Sequence, residues 1–361
     1  MVTIAYKRPR RFYGAGALVL LAIACLWVGF RLVILAEQSG DPFATAISER
    51  EQFRIWYPVE ASALTRLSAA IWPRRYVHDQ ALATAEPVPV LIYFGGWPGT
   101  GVDNHELLRT LVGQGYVVVT EKNVMPSALE PAESERPMDF SSAEAYEDTL
   151  RRADTRVRLL ARTAVAWLDS LESLNQHDPL GRFTGRLDLA RVGVLGYSFG
   201  GAVAAEAAWL DPRFRAVVNL DGWSFGDAAT EGIHQPYLFI SDDSPEPTSQ
   251  DLNSSDPVQR YTSRLTALDY PRLLHNLARN GGNFLRVAGT RHPEFVDRGR
   301  RSSGREILGL PPDAAGRLQA ILQAYVLAFF QQHLRGIESG LLRGPSPRFP
   351  EVRFHDLEGL Q

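Results

Sequence analysis

Six short apolar runs recur along the chain with helical stretches between most of them, and this alternation constrains the fold more than any other feature. The runs are 89–94 (PVLIYF), 116–120 (YVVVT), 191–196 (RVGVLG), 216–220 (AVVNL), 236–241 (PYLFIS) and 283–288 (NFLRVA). They are continuous rather than alternating, the pattern of strands buried on both faces. A further short strand is expected at 52–57, stopped by Pro58. Helices are predicted from Asp103 or Asn104 to about 113, over 142–174, over 200–210 and over 314–336. Strands and helices in this order predict an α/β fold: a mostly parallel sheet with helices on both faces. Such sheets bind ligands at the carboxyl ends of their strands, so functional residues are expected just after the runs. The segment 242–282 is too long for a simple connection. Its helical pieces at 258–268 and 270–279 are expected to form a small cap over one end of the sheet.

The sharpest motif follows the third run. Gly196-Tyr197-Ser198-Phe199-Gly200 fits G-x-S-x-G, and the small-residue stretch GGAVAAEAA comes next. Strand, turn and helix in that order are what a nucleophile elbow requires, so an α/β-hydrolase fold is expected. The serine sits on a strained turn, and its neighbours two positions away must be small. The backbone N–H of Phe199 then faces the place where an oxyanion would develop. A nucleophilic serine needs a base, and the base needs an acid to fix its tautomer. His292 follows the last strand, where the base belongs. His234 and His275 fall before that strand, His333 lies within the closing helix, and His355 is in the tail. Two places offer the acid: Asp221 ends AVVNL, while Asp242 and Asp243 end PYLFIS and open a turn-rich run. The second oxyanion donor is expected from the loop Gly95-Gly96-Trp97-Pro98-Gly99. Pro98 has no N–H, so Trp97 is the first choice and Gly96 the second. That loop is not a phosphate loop, because no Lys-Ser/Thr follows it.

The first forty residues are a separate object. Residues 12–30 carry no charge, and after Arg31 the apolar run continues to Ala36. Nineteen helical residues span roughly 28 Å, about the hydrocarbon thickness of a bilayer. Lys7, Arg8, Arg10 and Arg11 precede the run, while Glu37, Asp41 and Glu49 follow it. That asymmetry predicts an uncleaved signal anchor over residues 1–40, with a cytoplasmic N-terminus and the domain 45–361 on the far side. Cleavage would release the domain as a secreted protein. The single cysteine, Cys25, falls inside this segment. A chain with 45% hydrophobic and 22% charged residues can bury a core, and a net charge of −3 does not suit a nucleic-acid partner. No feature indicates the oligomeric state.

Several segments together resemble the type II (plasma-type) platelet-activating-factor acetylhydrolases and their microbial relatives. They are the elbow GYSFGG at 196–201, the Leu-Asp-x-Trp segment at 220–223, the strand and loop PVLIYFGGWPG, and the early Ile55-Trp56-Tyr57-Pro58. The late stretch AYVLAFFQQHLRG and Gly344-Pro345-Ser346-Pro347 add to them. The resemblance covers roughly residues 45–355. It implies that Ser198 is the nucleophile, Asp221 the acid and His292 the base. It also implies a cofactor-free, calcium-independent ester hydrolase acting on phospholipids with short or oxidised acyl groups. Other acyl hydrolases, among them polyester or cutin-type esterases, use the same three residue types, and a non-catalytic binding module is the reading outside enzymes. Three places differ from the family: Tyr197 stands where it usually has His, Gly95-Gly96 where it has His-Gly, and Glu121-Lys122 where it often has Asp-His. All three are expected to line the substrate end of the sheet.

Overall fold

The computed structural model describes residues 26–27, 43–48, 53–60, 77–78, 81–99, 101–122, 136–297 and 313–357. Ten strands build one sheet among them: β1 Phe43–Ser48, β2 Phe53–Pro58, β3 Val77–His78, β4 Val88–Phe94, β5 Val117–Glu121, β6 Leu187–Tyr197, β7 Phe214–Leu220, β8 Tyr237–Ser241, β9 Asn283–Val287 and β10 Val352–Phe354. Their order across the sheet is β10-β9-β8-β7-β6-β4-β5-β2-β1-β3. From β5 to β9 every neighbouring pair is parallel. Antiparallel pairs, β2 on β5 and β10 on β9, extend the two sides. The chain winds outward in both directions from β4, which lies between β5 and β6. The crevice at that switch point is where such a sheet takes a ligand.

Seven helices accompany the sheet among the described residues: α1 His105–Gly113, α2 Ala143–Gln176, α3 Phe199–Leu210, α4 Ala228–Glu231, α5 Ser249–Leu252, α6 Pro257–Arg279 and α7 Ala314–Arg335. The period-2 alternation of each strand divides its side chains between two cores. Val90, Ile92 and Phe94 of β4 face α2 and α3, together with Val194 and Val217. Leu91 and Tyr93 face α1 and α7, together with Leu195 and Val218. Helix boundaries follow local chemistry. The Ser142 side chain accepts from Ala145 N at the start of α2, and Asp313 accepts from Gly316 N at the start of α7. Gly336 ends α7 in the left-handed conformation that favours glycine.

The segment 242–282 differs in detail from the two helical pieces expected. α6 is one helix, with Pro271 inside it. Proline removes one backbone hydrogen bond, but Leu265, Leu273 and Leu277 are buried on either side of it and hold the helix to the core. α6 is the crossover from β8 to β9, and it also forms one wall of the cavity described below. β1, β3 and β10 go beyond the strands read from the sequence. Among the described residues no helix is long and apolar enough to cross a membrane. The anchor expected over 12–36 lies outside the described residues, apart from Leu26 and Trp27.

The close approach of α7 to the sheet depends on a missing side chain. A Cβ on Gly193 would sit 2.6 Å from a ring carbon of Phe330, which is fully buried. Phe330→Ala should lower unfolding stability by about 3–5 kcal/mol, the usual cost of emptying an aromatic site in a core. Urea unfolding checks this, and an unchanged midpoint would contradict the packing.

Candidate active site

The site begins with a backbone that only a tight turn produces. Ser198 closes β6 and opens α3 at φ 53° and ψ −124°, a region costly for any residue with a Cβ. Its surroundings force that shape. A Cβ on Gly196 would lie 2.1 Å from the Gly200 backbone, and one on Gly200 would lie 2.1 Å from Phe94 O. The two glycines of the motif are therefore empty space that lets β6, β4 and α3 converge. Ser198 N donates to Leu220 O on the neighbouring strand and fixes the turn against β7.

At the end of β7, Asp221 adopts φ 60°. The turn is held by Asn219, which is fully buried: its Oδ1 accepts from Gly222 N at 2.8 Å, and its Nδ2 donates to Gly222 O and Tyr237 Oη. A Cβ on Gly222 would stand 1.9 Å from Ser198 O, so the two strained turns touch through a glycine. From there the Asp221 carboxylate reaches His292. Oδ2 lies 2.7 Å from Nδ1, and Oδ1 accepts from Asp242 N at 2.9 Å. His292 Nε2 lies 3.0 Å from Ser198 Oγ. Burial raises Asp221 above the usual carboxylate range; the hydrogen bond from His292 works against this, and the charge of Asp242 adds to it.

The loop bearing His292 is tied down on several sides. His292 N donates to Asp242 Oδ2 at 2.9 Å, and Asp242 also accepts from Ser244 N and Oγ. Asp243 accepts from Gly289 N. The structure thus puts Asp221 on the imidazole, while Asp242 and Asp243 hold the backbone of the same loop. Asp297, five residues on from His292, caps α1, accepting from His105 N at 3.0 Å and Glu106 N at 2.6 Å. Asn104 Nδ2 donates to Phe295 O, and Tyr93 Oη donates to Asn104 Oδ1. Charge from a distant loop therefore caps α1, where Asp103 or Asn104 was expected to do so.

Tyr197 departs from its expected place. Its ring stacks on His292 with centroids 5.0 Å apart and planes at 23°, and its hydroxyl donates to His292 O. Gly95, Gly96, Glu121 and Lys122 do not line the cavity either. Gly96 N donates to Asp103 Oδ2, and Glu121 accepts from Gly101 N. Trp97 does reach the cavity: its ring meets that of Phe199 edge-on at 4.7 Å. Of the remaining histidines, His333 is held below its ordinary value by burial and His355 stacks on Phe284. Neither touches Ser198.

Ser198 and His292 open into a cavity of about 510 Å³. Trp97, Phe199, Phe225 and Met138 give it an apolar side, and α6 gives it a polar one through Thr262, Thr266 and Asp269. An activated hydroxyl in a largely apolar pocket suits attack on an ester carbonyl. Among the described residues no group of three His, Cys, Asp or Glu side chains is placed to hold a metal ion.

Residues 169–258 match the family described as platelet-activating factor acetylhydrolase, isoform II. That segment, which holds the Ser198 and Asp221 turns, is what the chain shares with this family. A probable 1-alkyl-2-acetylglycerophosphocholine esterase from Arthroderma benhamiae is 31% identical over 177 residues, 46% of this chain and 44% of that protein. A platelet-activating factor acetylhydrolase from Cavia porcellus is 29% identical over 107 residues, 27% of this chain and 24% of that protein. The matches thus span less than half the length of these curated relatives. A ferulic acid esterase from Streptomyces cinnamoneus has the same fold, with a TM-score of 0.54 and 23% identity over 87% of this chain and 96% of that one.

Asn219 is the residue that sequence reasoning passed over. Its one signal is a polar side chain inside an otherwise apolar strand. Asp269 was missed as well. It is 6% exposed; its Oδ2 accepts from Ser224 N at 3.0 Å and its Oδ1 has no partner. Burial pushes its carboxyl up to about 7, against the pull of Ser224 and Arg272. A carboxyl whose pKa is raised by folding favours the native state at low pH, and the native state loses that advantage as pH rises from about 4 through about 7. Asp269→Asn keeps the acceptor for Ser224 N and removes the buried charge. It should stabilise the protein at pH 8 by about 2–4 kcal/mol, with the gain vanishing near pH 4. Thermal unfolding at both pH values reads this, and an equal effect at pH 4 and pH 8 would exclude it.

Proposed function

We propose that this chain is a serine esterase that hydrolyses carboxylic esters through an acyl-enzyme. The observation that carries the reading is the continuous chain from Ser198 Oγ through His292 to Asp221, with 3.0 Å and 2.7 Å links, at the mouth of a mostly apolar cavity. In this reading His292 Nε2 takes the Ser198 proton as the hydroxyl attacks the carbonyl carbon. The N–H groups of Phe199 and Trp97 hold the oxyanion, with the N-terminus of α3 behind the first of them. The imidazolium returns the proton to the departing alcohol, and water then releases the acid by the same steps. Asp221 holds the imidazole with Nδ1 protonated and stabilises its charged form.

Within ester hydrolysis, the acyl groups proposed are short or oxidised chains of phospholipids. The family match and the names of the two curated relatives support this. A second reading is a polyester or hydroxycinnamoyl-type esterase, favoured by the stacking surfaces of Trp97 and Trp223 at the cavity. The asymmetry of charge about residues 12–36, basic before and acidic after, supports a place for the domain on the non-cytoplasmic side of a membrane. A carbonate-washed membrane fraction of cells making the full chain should retain it, and recovery in the soluble fraction would remove the anchor from the account.

Ser198→Ala should lower kcat on short-chain esters by about a thousandfold or more. Turnover undiminished by that change would end the assignment of the nucleophile. Asp221→Asn should cost far more activity than Asp243→Asn, and the reverse order would move the acid to β8.

A further inference from the structure

Along β9, Phe284 and Arg286 share one face of the sheet and Leu285 and Val287 the other. Phe284, Leu285 and Val287 are buried in the two cores. Arg286 therefore stands where the alternation calls for an apolar side chain, facing α6. Such a breach of the pattern marks a strained or functional place. Arg286 lines the cavity that contains Ser198 and His292. Its Nη2 donates to Tyr270 Oη at 3.0 Å, and among the described residues it forms no ion pair. Most of its guanidinium donors are thus open, and the Tyr270 hydroxyl still has its own proton to donate.

The acids nearby do not neutralise it. Asp242 is occupied by Ser244 and by His292 N, and Asp269 accepts from Ser224 N. Asp251 is bound by Thr248 and Gln259, and Glu246 is exposed at the rim. With its carboxyl raised to about 7 by burial, Asp269 opposes an anion less than an ordinary aspartate would. Three strand steps separate β9 from β6, about 14 Å at roughly 4.8 Å per step, so Arg286 faces a part of the ligand remote from the reacting carbonyl.

We propose that Arg286 and the hydroxyl of Tyr270 form a subsite for an anionic oxygen group, a phosphate or a carboxylate, carried by the ester substrate away from its scissile bond. The proposal rests on the esterase reading for its substrate and on the cavity for its geometry. A guanidinium with open donors in a part-buried pocket binds such a group by charge-assisted hydrogen bonds, and a phenol beside it adds one more.

The test uses the full-length protein and matched acetyl esters of one alcohol that ends in a phosphate, a carboxylate or a neutral hydroxymethyl group. Arg286→Gln should lower the ratio of kcat/KM for the anionic esters over the neutral ester by about tenfold or more, chiefly through KM. Arg286→Lys, which keeps the charge, should restore part of the ratio, and Tyr270→Phe should reduce it by a smaller factor. A preference for the phosphate ester over the carboxylate identifies the source as phosphate, and the opposite order identifies it as carboxylate. An unchanged ratio in Arg286→Gln overturns the subsite. Titration of the same alcohols into Ser198→Ala protein separates this outcome from failure of the esterase reading. Tighter binding of the anionic alcohols that depends on Arg286 upholds the subsite even if no ester is turned over, and equal binding of anionic and neutral alcohols removes it.

Discussion

The strained turn at Ser198 is the constraint on which the rest of the site depends. A residue with a Cβ is held at φ 53° because β6, β4 and α3 meet around it at distances that only glycine allows at positions 196 and 200. Packing of the parallel sheet supplies the energy that holds this backbone in place. The turn thrusts the serine Oγ out of the sheet edge while its backbone remains bound to β7. It then propagates: Gly222 fits against Ser198 O, which brings the Asp221 turn alongside, and Asp221 in turn fixes the imidazole. The three side chains come from three different strand ends, yet each is positioned by contact with the next.

A second layer of polar residues holds His292 in place. Asp242 and Asp243 anchor the backbone around His292, Tyr197 stacks on its ring, and Asp297 fastens the same segment to the N-terminus of α1. Each removes freedom from His292, whose side chain is half-exposed and which follows β9 by a short turn. That is the arrangement expected where geometry, rather than raw binding, limits catalysis.

The parallel core was legible in the sequence because buried parallel strands are continuous apolar runs, and all six such runs became strands. The elbow was legible because its glycines are demanded by sterics at fixed spacing. Positions after strands pointed to His292, but could not divide Asp221 from Asp242 and Asp243, since both strand ends project to the same edge. Only the left-handed turn built by Asn219 turns Asp221 toward the imidazole, and a single buried asparagine carries little signal in one sequence. Tyr197 was expected to line the substrate end of the sheet, whereas the elbow turns its ring onto the His292 imidazole. Short edge strands such as β10, three residues long, lack the length for a pattern to appear.

The central claim is that Ser198 is a nucleophile activated by His292. The most direct measurement is mass spectrometry of the protein after exposure to a small alkyl fluorophosphonate, followed by peptide mapping. The account predicts one covalent adduct, on the peptide that contains Ser198, forming rapidly in the native protein and lost when His292 is replaced by alanine. Absence of an adduct, or an adduct on another residue while Ser198 stays unmodified, would contradict it.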